Sequence, residues 1–139
     1  MAEYPFANTT NASSSTELPL FKEWAWNFEE DHFIYYENGK HILLEGNEAI
    51  KVWCYKALKT ERFMYLAYTH GFGIELYPFM AKVMGIMQRK SELKRIVTEA
   101  LMVNPYIVSV DSISFDENNR NEEMDLQIAM TTVYGELVI

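Results

Sequence analysis

The chain has 139 residues, a length that suits one domain, with 49% hydrophobic and 23% charged residues, the balance of an ordinary globular core. A net charge of -8 speaks against nucleic acid as a partner, since phosphate binding needs clustered lysine and arginine. The single cysteine, Cys54, excludes an internal disulfide, and no run approaches the ~20 apolar residues of a membrane helix.

Taken in order, residues 1–18 contain the polar, small-residue tract NTTNASSST, which cannot bury enough surface to offset its ordering entropy. They read as a flexible tail ahead of one ordered domain, 19–139. Trp24, Trp26 and Phe28 alternate as in a strand. HFIYYENGKHILLEG predicts a hairpin on a two-residue Asn38-Gly39 turn, setting Tyr36 opposite His41, Tyr35 opposite Ile42 and Ile34 opposite Leu43. Asn47 is a good N-cap, and Ile50, Trp53, Cys54, Ala57 and Leu58 then follow the stripe of a core-packed helix. ERFMYLAYTHGFG carries apolar residues on both parities, which predicts a strand covered on both sides or an interface strand. GFGIELYPFMAKVMG reads as a loop and a short helix begun at Pro78 and ended at Gly85.

QRKSELKRIVTEALMVNP is the clearest helix, with Ser91 as N-cap, a stripe of Leu93, Ile96, Val97, Ala100 and Leu101, and a stop at Asn104-Pro105. YIVSVDSISFDE and EEMDLQIAMTTVYGELVI complete the chain as two strands around the solvated turn DENNRNEE. Each strand changes its alternation phase, Val108 and Val110 against Ile113 and Phe115, and Leu126, Ile128 and Met130 against Val133, Leu137 and Ile139. Such a shift moves side chains to the other face and predicts bulges or bends near Asp111 and Thr131–Thr132. The fold class is α+β: a small single domain with an N-terminal β-hairpin, two main helices and a C-terminal antiparallel strand pair with an exposed edge.

The residues offer little chemistry. His32, His41 and His70 are scattered, Cys54 has no cysteine partner and sits in an apolar stripe, and Gly71-Phe72-Gly73 is too short for a phosphate loop. Glu61, Glu75 and Asp111 are the carboxylates to consider for a hydrolase, which needs two flanking a cleft. No catalytic residue, cofactor or metal ligand is expected.

Several segments together are specific: FKEWAWNFEEDHF, LLEGNEAIKVWCYKALKTERF, HGFGIELYPF, RKSELKRIVTEALMVNPYI and the ending TTVYGELVI. From Phe21 to Ile139 the chain resembles the sheath-initiator group of contractile-tail baseplate wedge proteins, of the defective Bacillus prophage type. The group carries a Glu-Pro-Arg motif after its long helix. Here the matching place holds Asn104-Pro105-Tyr106, keeping the helix stop but not the two charges. The resemblance implies a structural baseplate protein, made in the bacterial cytoplasm and present in multiple copies in a sixfold ring. Its implied partners are the tail sheath protein, baseplate wedge proteins and tube or hub proteins, with no nucleic acid and no membrane. The alternative is a tail-associated, lysozyme-like wall hydrolase.

An apolar strand at a sheet edge is an aggregation liability unless a partner adds a strand to it. The expected docking residues are Leu126, Ile128, Met130, Thr132, Val133, Tyr134, Leu137 and Ile139, with Asn104, Pro105 and Tyr106 on the wedge side.

Overall fold

The computed structural model describes residues 17–116 and 125–139. The expected tail at 1–18 and the turn DENNRNEE lie almost wholly outside the described residues.

The N-terminal strands are β1 (Lys22–Trp24), β2 (Trp26–Asn27), β3 (His32–Phe33) and β4 (Leu43–Glu45). β1 pairs with β4 and β2 with β3, both antiparallel. Partners change at the buried Ala25, whose N–H donates to Ile42 and whose carbonyl accepts from Ile34. The expected hairpin forms, but one residue out of the expected register. Tyr35, not Tyr36, pairs with His41, and the Tyr36 N–H donates to the Lys40 carbonyl. The loop is therefore Glu37–Gly39, with Gly39 at φ 80°, the geometry of a turn that ends in a left-handed glycine. His41 packs against Trp24, Phe33 and Tyr35 at 4.7–5.3 Å between ring centroids.

Helix α1 (Asn47–Lys59) starts one residue earlier than a cap at Asn47 would have it. Gly46, at φ 66°, takes the cap position, and Asn47 is the first helical residue. Ile50 and Cys54 enter the main core, while Lys56, on the flank facing β1, meets Glu23 at 3.1 Å. The short α2 (Tyr77–Met80) carries Pro78 in its first turn, as expected, but Gly85 does not end it. Gly85 is instead the cap residue of α3 (Ile86–Met102), which begins five residues before Ser91. The extra turns, Ile86 to Lys90, are good helix formers whose side chains mostly stay exposed, so the buried stripe could not reveal them. Ile96, Val97, Ala100 and Leu101 are buried as the stripe predicts.

The segment 61–73 is not a strand. It is an irregular loop with Phe63, Met64, Tyr65, Leu66 and Tyr68 all more than half exposed. Its base is fixed while its apex is bare. Arg62 N–H donates to Ile74, Ile74 N–H donates to Thr60, and the Arg62 guanidinium, 10% exposed, donates to the Gly73 carbonyl and to Glu75 and Glu99. Apolar residues on both parities marked an uncovered surface here, not a doubly covered strand.

The chain closes in a three-stranded antiparallel meander, β5 (Ile107–Asp116), β6 (Asp125–Thr132) and β7 (Gly135–Val138), with β6 in the middle. What reads as one long C-terminal strand is thus two, turned at Val133–Tyr134. The α+β class stands, with this third strand added to the expected pair. Helices α1 and α3 cover one face of the sheet, giving a core of Ile50, Cys54, Val97, Leu101, Ile113, Ile128 and Met130. Among the described residues no helix is long and apolar enough to cross a membrane.

Candidate functional site

The C-terminal sheet and its β6–β7 turn carry most of the residues expected to dock. Its inner face is built from rows that cross the strands. Val110, Met130 and Leu137 form one row, Ile113, Ile128 and Ile139 the next, and Phe115 with Leu126 the last. β5 holds the register through two irregularities, at Val108 and at Asp111. The second is where the phase shift predicted it. Asp111 accepts hydrogen bonds from the Thr131 hydroxyl at 2.7 Å and the Ser109 hydroxyl at 2.8 Å. Those two donors hold its carboxyl below the ordinary range, Thr131 contributing most. The second phase shift, at Thr131–Thr132, is the β6–β7 turn and not a bulge.

The expected docking residues divide by position. Leu126, Ile128, Met130 and Thr132 lie on β6, and the last three are buried between β5 and β7, where a partner strand has no place to add. Leu126 pairs with Phe115 of β5 alone, since the pairing with β7 runs out at Ile128 and Ile139. Val133 and Tyr134 form the turn, and Leu137 and Ile139 face the core from the edge strand. Ile128 and Ile139 exchange both backbone hydrogen bonds at 2.9 Å. By antiparallel alternation Leu137 also turns its polar groups inward, and Glu136 and Val138 turn theirs outward. The Glu136 carbonyl accepts from the Asn47 Nδ2 at 3.2 Å. The Glu136 N–H and both backbone groups of Val138 remain on the outer edge, which no strand among the described residues covers.

Asn104, Pro105 and Tyr106 follow α3. Asn104 is 4% exposed; its Oδ1 accepts from the Tyr106 N–H at 3.0 Å, and its buried Nδ2 has no partner among the described residues. Tyr106 stacks near Tyr134 and packs edge-on against Phe21 at 4.8 Å. Its hydroxyl donates to the Pro19 carbonyl at 2.6 Å, while the Tyr134 hydroxyl accepts from the Phe21 N–H at 2.9 Å. The sheet's turn, the end of α3 and the start of the N-terminal strands are therefore tied together by two tyrosines. A second tie comes from Asn47. Its Oδ1 accepts from the buried Thr132 hydroxyl while its Nδ2 holds Glu136, so α1 is clipped to both sides of the β6–β7 turn.

The sequence reading missed this use of Asn47 and the pairing of Phe21 with Tyr134. Their partners lie 85 and 113 residues away, and no local pattern encodes such a contact. The carboxylates considered for hydrolysis have structural partners. Glu61 accepts from the N–H groups of Leu76 and Tyr77 at 3.0 Å, opening α2, Glu75 meets Arg62, and Asp111 fixes the β5 irregularity. Cys54 is fully buried and its thiol is pushed up to about 12 by burial, the opposite of an activated nucleophile.

The described residues thus form a small α+β body that presents a three-stranded sheet clipped to α1. The family model of the contractile injection system sheath initiator matches residues 22–135, and the chain belongs to that family. It is similar to the phage-like element PBSX protein XkdS of Bacillus subtilis (strain 168), at 31% identity over 107 residues, covering 75% of this chain and 74% of that protein. Membership gives the chain a structural role in a contractile tail, associated with sheath and baseplate components of a tail-like particle.

Proposed function

We propose that this chain nucleates the first sheath ring by pairing an edge strand with a strand of the tail sheath protein, and joins that ring to the baseplate wedge. It does so in multiple copies around a sixfold ring. The observation that carries the reading is the outer edge of β7, rigidly clipped to α1 yet open at Val138. Strand addition supplies main-chain hydrogen bonds for affinity and alternate side chains for register. Asn104, Pro105 and Tyr106 are the wedge-side contact in this reading, with Pro105 exposed, Tyr106 half-buried and Asn104 buried behind them.

The test is co-assembly of the full chain with the cognate tail sheath protein, followed by electron microscopy. Sheath rings should form on the chain and not in its absence. Equal assembly of sheath with and without the chain refutes nucleation.

A further inference from the structure

We infer that the groove beside the outer edge of β7 is a socket for the side chains of an added strand. Its occupant is an extended segment with large apolar residues on either side of the one that pairs with Val138, and with a carboxylate near Lys51. The inference rests on the strand-pairing reading and deepens it, by naming the chemistry of the strand.

The groove measures about 790 Å³ and runs between α1, Phe28 and the ends of β6 and β7. Phe28, Tyr55, Leu58, Leu126 and Ile139 supply its apolar walls, and Lys51 stands on its rim. It lies where the rows of the inner face run out. The row Ile113, Ile128, Ile139 crosses three strands and then meets open space beyond β7. A fourth strand would continue that row. A residue hydrogen-bonded to both groups of Val138 points to the outer face, so its two neighbours point inward, opposite Leu137 and Ile139. The groove is the volume those inward side chains would fill. A free backbone edge next to an apolar trough fits an extended segment, not a helix, because only an extended chain can use both at once.

The other edge of the sheet is guarded. β5 is made irregular at Val108 and Asp111. Bulges are devices that keep strands from adding. β7 has none. Of the two lysines at its groove, Lys59 is held by Asp31 at 2.7 Å, whereas Lys51 only overhangs the Phe28 ring at 5.7 Å. A cation on the rim of an apolar trough in a chain of net charge -8 selects an occupant with a carboxylate.

Three variants of the full chain test this by co-sedimentation with the cognate tail sheath protein: Leu58→Asp in the trough, Lys51→Glu on the rim and Val138→Pro on the edge. Circular dichroism and urea unfolding check that each is folded. Leu58→Asp and Val138→Pro should each weaken association by at least about tenfold. Lys51→Glu should weaken it about threefold and flatten its salt dependence. Lys51→Glu stays informative if Leu58→Asp does not fold. If only Val138→Pro weakens association, the socket is wrong and strand pairing stands. If all three bind as the parent does, strand pairing at β7 falls as well. If Leu58→Asp weakens association and Val138→Pro does not, the occupant is not an added strand and the inference is overturned.

Discussion

Replacing Asn47 separates two roles that the sequence alone leaves indistinguishable. As a helix cap, Asn47 would be well replaced by aspartate and moderately damaged by alanine. As a clip, it must both accept from the Thr132 hydroxyl and donate to the Glu136 carbonyl. Asn47→Ala forfeits the bond to the buried Thr132 hydroxyl, which keeps the Gly135 carbonyl at 3.1 Å as an acceptor, and the bond to Glu136, each at about 0.5–1.5 kcal/mol. Alanine is the better helix former and returns about 0.5 kcal/mol, so the net loss is about 0.5–2.5 kcal/mol. Asn47→Asp keeps the acceptor but sets a carboxylate against the Glu136 carbonyl. The helix N-terminus returns only about 0.3–1 kcal/mol, so this variant should also lose stability, by about 1–2 kcal/mol. Urea unfolding followed by circular dichroism measures both. Asn47→Asp at or above the parent's stability would refute the clip and restore the cap.

Gly73→Ala should lose about 2–4 kcal/mol, because the residue sits at φ 104° and a Cβ there would lie 2.6 Å from the Thr60 carbonyl oxygen, whereas Gly71→Ala, open on all sides, should change little. Ile128→Ala empties the middle of the Ile113–Ile128–Ile139 row at a site 2% exposed and should lower the urea midpoint by the equivalent of about 2–5 kcal/mol at unchanged slope. His32 donates from Nδ1 to the Phe33 carbonyl and from Nε2 to Glu30, which only the imidazolium can do, so its pKa is raised above 6.5, chiefly by the Phe33 carbonyl. Its stabilising contribution is thus full below the unfolded value and lost as pH rises through the folded one; an NMR titration should show the raised value fall in Glu30→Gln. Cys54 should resist a thiol reagent in the native chain and react on unfolding; a native rate matching the unfolded rate would contradict its burial.

What was legible follows from which signals are local. The stripes of α1 and α3 repeat within a few residues and named Ile50, Cys54, Ala57, Ile96, Val97, Ala100 and Leu101, though not the buried Ala49 and Val52, and Pro105 fixed the end of α3. The phase shift on β5 located the irregularity at Asp111 because an extra residue must appear where alternation slips. The same signal failed at Thr131–Thr132. In a hairpin with a two-residue turn, paired positions sum to a constant odd number, as Met130 with Leu137 and Thr132 with Gly135 do. Inner-face residues then change parity across the turn just as they would across a one-residue bulge. Alternation alone cannot separate the two, and Gly135, at φ 114°, was the local sign that the chain reverses there.

The C-terminal sheet was legible as a segment and its open edge was not. Apolarity led to Ile128 and Met130, yet the most apolar strand of a three-stranded sheet is its middle one, since that strand is covered best. An edge strand must satisfy a different demand. Its alternate backbone groups stay unpaired on the outer side, so it tolerates exposed residues such as Glu136 and Val138 alternating with core-facing Leu137 and Ile139. The two outer strands answer this demand in opposite ways. β5 carries a slipped register, while β7 carries a polar clip at one end only, on the Glu136 carbonyl. Adding a strand to β5 would have to straighten the Asp111 irregularity and break its two hydroxyl bonds. Adding one to β7 displaces nothing but water along Val138. Under the strand-pairing proposal, that asymmetry directs a partner to the short edge, although the longer edge offers more backbone.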